Sequence, residues 1–191
     1  MGFSLSFLAV KGTMPADIHR ALEVTDTGVA STDDDYPAPP VRGAALPDGW
    51  YLVLLNDVAH RFIASEEIAE RLSRGCEVVA CQVEEHDMVS GCFGFRNGTH
   101  VWSVMHDSRK APDDLDVSGE PPAAFGEIAA RMRAKQADED RRTRKISVDF
   151  LFDVPVELAH TLCGYRHDMI ADWGEPAFTV LAEGELGAGK T

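Results

Sequence analysis

Glu77-Val-Val-Ala-Cys-Gln-Val-Glu84, Met88-Val-Ser-Gly-Cys-Phe-Gly-Phe95 and Thr99-His-Val-Trp-Ser-Val-Met105 follow one another with almost nothing between them. Each run is β-branched, aromatic or small, and the last two are joined by Arg96-Asn-Gly-Thr99. Asn-Gly is the dipeptide that accepts positive φ at both central positions of a type I′ turn, whose twist matches that of two antiparallel strands. The three runs therefore predict an antiparallel meander, and Leu115-Asp-Val117 beyond them reads as a short edge strand.

Working outward toward the N-terminus, Trp50-Tyr-Leu-Val-Leu-Leu55 is a continuous apolar run, as expected of a strand covered on both faces. Ser4 to Val10 predicts a first strand. Thr13 as N-cap and Pro15 in the first turn then open a helix with Ile18, Ala21 and Leu22 on one face. A second helix starts at Ser65, places Glu66 and Glu67 against the positive end of the dipole, and stops at Gly75. From residue 25 to 48 the apolar period is lost among Asp33-Asp-Asp35, Pro37, Pro39-Pro40 and Pro47, which predicts a long exposed loop.

Toward the C-terminus, a third helix is expected after Pro121-Pro122, with Phe125, Ile128, Ala129 and Met132 facing inward and a charged half beyond Lys135. Ile146 to Phe152 reads as a strand. Asp153 and Pro155 begin a fourth helix that Gly164 ends. The expected fold class is α+β: a mainly antiparallel sheet of five or six strands, with about four helices packed chiefly on one face. The expected compact domain spans residues 1 to 169, and residues 170 to 191 form a mobile C-terminal extension.

Composition narrows the class. A chain of 191 residues with 45% apolar content is large enough to bury a core without crosslinks. Its net charge of −14 works against a nucleic-acid backbone and favours a basic protein partner. Cys76, Cys81, Cys92 and Cys163 form no C-x-x-C pair and read as reduced core residues. No run approaches membrane-spanning length, and the N-terminal apolar stretch has no preceding basic region, so the expected setting is soluble and cytoplasmic.

Two patterns bear on chemistry. Gly184-Glu-Leu-Gly-Ala-Gly-Lys-Thr191 matches the phosphate-loop spacing through Gly184, Gly189, Lys190 and Thr191, but no helix follows to offer its N-terminal amides, so nucleotide binding is disfavoured. The dipeptide His-Asp occurs at His86-Asp87, His106-Asp107 and His167-Asp168. Imidazole beside carboxylate suits a metal or an acid–base pair, with His86 and His106 the candidate metal ligands at one end of the meander. Polar strand ends account for the same dipeptides without any chemistry. No G-x-S-x-G, H-E-x-x-H or G-x-G-x-x-G pattern is present, so no cofactor is expected. Trp50 and Trp102 are expected in the core and Trp173 as an exposed contact residue.

The segments Trp50 to Asn56, Cys76 to His86, Val101 to Asp107, Phe152 to Ala159 and Gly164 to Asp168 resemble those of a group of small uncharacterised bacterial hypothetical proteins. The resemblance covers about residues 3 to 168. It implies a bacterial cytoplasmic origin and, since that group has no assigned activity, no catalytic residues. The functional expectation is a non-enzymatic binding or regulatory module, such as an immunity-type protein against a basic partner. The alternatives are a metal-dependent hydrolase using the His-Asp pairs and nucleotide binding at the tail.

Overall fold

Alternation along the central strands sorts the molecule into layers. In the computed structural model, which describes residues 2–32, 35–111, 113–142 and 148–184, strand β1 (Ser4–Lys11) sends Phe7 and Ala9 to one face of the sheet and Leu8 and Val10 to the other. Strand β4 (Trp50–Leu55), buried at every position, does the same with Leu52 and Leu54 against Tyr51, Val53 and Leu55. Strand β5 (Glu77–Glu84) divides Val79, Cys81 and Val83 from Val78 and Ala80. A sheet apolar on both faces requires cover on both.

That cover is split between five helices among the described residues. Helices α1 (Pro15–Leu22), α2 (Arg61–Ala64) and α3 (Glu66–Leu72) bury Ile18, Leu22, Phe62, Ala69 and Leu72 on one face. Helices α4 (Ala124–Arg142) and α5 (Asp153–Cys163) bury Ile128, Met132, Val154 and Leu158 on the other. The expectation of helices chiefly on one face is thereby corrected. The clear-cut alternation in β1, β4 and β5 is the reason, since it places large apolar side chains on both sides.

The meander is as read, with β6 (Val89–Arg96) and β7 (Thr99–Asp107) meeting at Asn97 and Gly98, whose φ values of 53° and 79° suit the expected turn. Strand β8 (Asp116–Gly119) forms one edge. The α+β class and the antiparallel pairing hold, but the sheet has nine strands among the described residues, ordered β2-β9-β3-β4-β1-β5-β6-β7-β8, in place of five or six.

The additional strands lie in the two regions expected to be irregular. Residues 25 to 48 carry β2 (Val24–Ser31) and β3 (Val41–Ala45) where a long exposed loop was expected. The extension beyond residue 169 supplies β9 (Phe178–Glu183), inserted between β2 and β3. Conversely, residues 148 to 152 are not a strand. They form the turn into α5, with Asp149 Oδ1 accepting from the Leu151 and Phe152 amides at 3.1 and 3.2 Å. Leu151 and Phe152 are buried in that turn, which produces the apolar pattern that mimics a strand.

Candidate functional site

Register brings His86-Asp87 and His106-Asp107 to the end of the sheet remote from the Asn97-Gly98 turn, and the segment that follows Gly164 brings His167-Asp168 there as well. His86 and Asp87 lie in the turn between β5 and β6, His106 and Asp107 close β7 opposite Ser90 and Val89, and His167 reaches Glu85 beside the start of β1. Sharing an end does not make them one site. His86 Nδ1 lies 2.9 Å from Glu84 Oε1, and the Ser4 hydroxyl donates to the same carboxylate at 2.6 Å. Those bonds hold the Glu84 carboxyl below its ordinary range, the Ser4 hydroxyl contributing most. His106 is fully buried between the Asp114 carbonyl and Asp149.

The carboxylates of the dipeptides go to arginines. Arg109 grips Asp107 through two bonds of 2.9 and 3.0 Å and reaches Asp87 at 3.3 Å. Arg166 does the same to Asp168 at 2.6 and 3.1 Å. Among the described residues no group of three or more His, Cys, Asp or Glu side chains is placed to hold a metal ion. His86 and His106 in particular are committed to different carboxylates on different segments.

A cavity of roughly 280 Å³ opens at this end, built from the start of β1, the end of β2, residues 165 to 170 and the approach to β9. Its inner wall is aromatic: Tyr165 and Phe178 meet edge to face at 6.4 Å between centroids, and Phe3 stands edge to face with His167 at 4.9 Å. At its mouth Met169 and Ile170 are 56% and 71% exposed. Large apolar side chains so exposed beside a cavity are a recurrent mark of contact surfaces.

The polar groups of the wall are mostly committed already. Arg166 donates to Asp168, to Glu157 at 3.2 Å and to Asp153 at 2.7 Å, leaving its guanidinium surrounded by carboxylates. Burial works against that charge, but the Asp168 bonds and the charge of Asp153 outweigh it and raise the Arg166 pKa. The Ser31 hydroxyl donates to Asp35 at 2.7 Å. His167 differs. Its side chain is 2% exposed, its Nε2 has only a 3.4 Å contact with Glu85 Oε1, and its Nδ1 has no hydrogen-bond partner among the described residues. Glu175 lines the cavity exposed and forms no ion pair among the described residues.

Other sequence candidates fall elsewhere. Trp50 and Trp102 are in the core, whereas Trp173, 40% exposed, borders a separate cavity with Lys11 and Cys163. Cys163 is buried, and burial pushes its thiol up to about 11, the opposite of a nucleophile's requirement. Of the phosphate-loop match, Gly184 donates its amide to the Glu23 carbonyl, while Gly189, Lys190 and Thr191 lie outside the described residues. So do Asp33 and Asp34 of the acidic run. Among the described residues no helix is long and apolar enough to cross a membrane. Sequence reasoning places Glu85 beside His86 and His106 but does not find Arg166 or Glu175, and only the adjacency of Arg166 to His167-Asp168 could have signalled the first.

No protein-family model matches this chain, and comparison with curated proteins and with solved structures likewise yields no match.

Proposed function

We propose that the protein is a soluble, cytoplasmic, non-enzymatic binding module, of immunity type, whose partner is a basic protein docking at the His167 end of the sheet. The observation that carries this reading is the exposed pair Met169 and Ile170 at the mouth of a cavity whose rim is carboxylate, on a chain of net charge −14. Such a patch has the anatomy of an interface, with an apolar centre for affinity and a charged rim for orientation and capture rate. Hydrolysis at the His-Asp pairs would need a shared ion or an accessible base. His86 is held by Glu84, and His106 is sealed from solvent with both nitrogens occupied.

The test is capture on immobilised wild-type protein and on a Met169→Lys/Ile170→Lys variant, followed by purification and titration of whatever distinguishes them. A basic protein that binds wild type, weakens as salt rises and loses about tenfold or more on the variant supports the reading. A captured partner that is acidic, indifferent to salt or equally bound by the variant would end it.

A further inference from the structure

We infer that the cavity beside His167 is a receptor for a single cationic side chain, a guanidinium or ammonium group on an apolar stem, supplied by the partner. This rests on the reading above and adds the chemistry of the contact.

Donor and acceptor accounting leads there. Arg166 is the cation lining the cavity, and its Nε, Nη1 and Nη2 are all already given to Asp153, Glu157 and Asp168. Arg131 shares Glu157 at 2.8 Å, and Arg42 lies over the Phe178 ring at 4.9 Å, within the field of Asp35. Three arginines thus meet Asp35, Asp153, Glu157 and Asp168, with Glu85 and Glu175 unmatched by any arginine among the described residues. The local field is negative. An anionic ligand would meet repulsion and find a single N–H of Arg166, on Nη1, not already given to a carboxylate.

His167 sharpens the argument. A carboxylate only accepts, so the Nε2 atom facing Glu85 carries the ring's hydrogen, and in the neutral ring Nδ1 is left as a bare acceptor. That nitrogen is buried without a partner among the described residues, an arrangement that is unfavourable unless a donor arrives. A cationic side chain entering the cavity that His167 lines would supply that donor. Asp168, about one-third exposed, and Glu175 offer further acceptors at the mouth, while Phe3, Pro176 and Ile170 are suited to an alkyl stem. The cavity of roughly 280 Å³ is of the size for one long side chain, below the range usual for drug-sized ligands.

The experiment uses the full chain and argininamide as the probe, lysinamide as the second cation and glycinamide as the neutral-side-chain control. Binding is followed through the ring nitrogens of His167 by nitrogen-15 NMR. The expected result is a saturable shift of His167 Nδ1 with argininamide or lysinamide and none with glycinamide. Glu175→Gln should weaken it several-fold, and His167→Phe, which keeps a ring against Phe3, should weaken argininamide binding followed by calorimetric titration about tenfold or more. Glu175 is exposed, so its variant stays folded even if His167→Phe does not. If neither cation moves His167, or if both variants bind as well as wild type, the inference is wrong. Loss of this result while the Met169→Lys/Ile170→Lys variant still fails to capture a basic partner would refute the cation receptor alone. The converse pattern, cation binding without any basic partner, would refute the docking reading alone.

Discussion

Nε2 of His106 stands 2.8 Å from Oδ2 of Asp149, while Nδ1 of the same fully buried ring stands 2.6 Å from the carbonyl oxygen of Asp114. Both neighbours only accept, so both ring nitrogens carry hydrogen and the ring is an imidazolium. Asp149 in turn accepts from the amides of Leu151 and Phe152 and so fixes the turn into α5. One ion pair ties the end of β7 to the start of the helix that covers it.

The pair sets a pH dependence. Burial opposes the charge on His106, but the Asp149 and Asp114 interactions outweigh it and raise its pKa; burial likewise opposes charge on Asp149, whose bonds to His106 outweigh it and lower its pKa. The stabilisation from His106 is complete below its ordinary value of about 6.5 and fades as pH rises through the raised one, whereas that from Asp149 is complete above about 3.9 and fades as pH falls through the lowered one. Asp149→Ala should therefore cost most between roughly pH 4 and 6.5, on the order of 3–5 kcal/mol, and less in alkali. Urea midpoints for parent and variant across this range measure it, and a gap that does not narrow above neutrality would show that His106 is uncharged.

The His-Asp dipeptides show which part of a site can be read from sequence. The placement of His86 and His106 at one end of the sheet follows from the meander register, whereas that of His167, beyond α5, does not. Their partners do not, because Asp149 is 43 residues from His106 and Glu85 is 82 from His167, and no local pattern links them. The same limit applies to the fold. The meander and β4 announce themselves through alternation, turn chemistry and a continuous apolar run, whereas β2 is exposed from Thr25 to Ala30 and contains Asp26 and Gly28. Such an edge strand is held by ladder bonds to a distant segment and leaves no apolar period behind.

At Gly94 the indole of Trp102 occupies the position where a Cβ would stand. The two residues are cross-strand partners, so the glycine makes room for a large ring on its own neighbour. Gly94→Ala should displace the indole and cost about 1–3 kcal/mol, with a change in tryptophan emission, whereas Gly126→Ala, which meets open space in α4, should be neutral or stabilising. An unaltered midpoint for Gly94→Ala would mean that the ring has free room to move.

All four thiols are free and buried, and burial raises the pKa of each. Cys81 and Cys92 face one another across β5 and β6. A thiol reagent at about pH 8 should find all four unreactive in the native protein and titrate all of them after denaturation. Fast labelling of any one in the native state would identify a local opening at that strand or helix.

The strongest departure from the sequence reading concerns β9, expected to be a loose extension and found inside the sheet. It pairs Leu181 with Asp26 of β2 and Val180 with Arg42 of β3, and the Thr27 hydroxyl donates to the Val180 carbonyl across a separation of 153 residues. Leu181 is buried in the cluster beneath α1, and Gly43 leaves room for it, since a Cβ there would meet the Leu181 side chain and the Tyr51 hydroxyl. Among the described residues β2 pairs with no other strand, so its ladder depends on β9. Ending the chain at Pro176 should abolish hydrogen-exchange protection throughout Val24–Ser31 and expose one edge of β3. Leu181→Ala, which keeps the ladder but removes the anchor, should cost about 2–5 kcal/mol through lost transfer energy and the cavity left behind. The meander is separated from β9 by β3, β4 and β1, so amides in β6 and β7 should lose protection only to the extent that the whole domain is destabilised. Protection of β2 that survives the truncation would show that β2 is held by something other than β9.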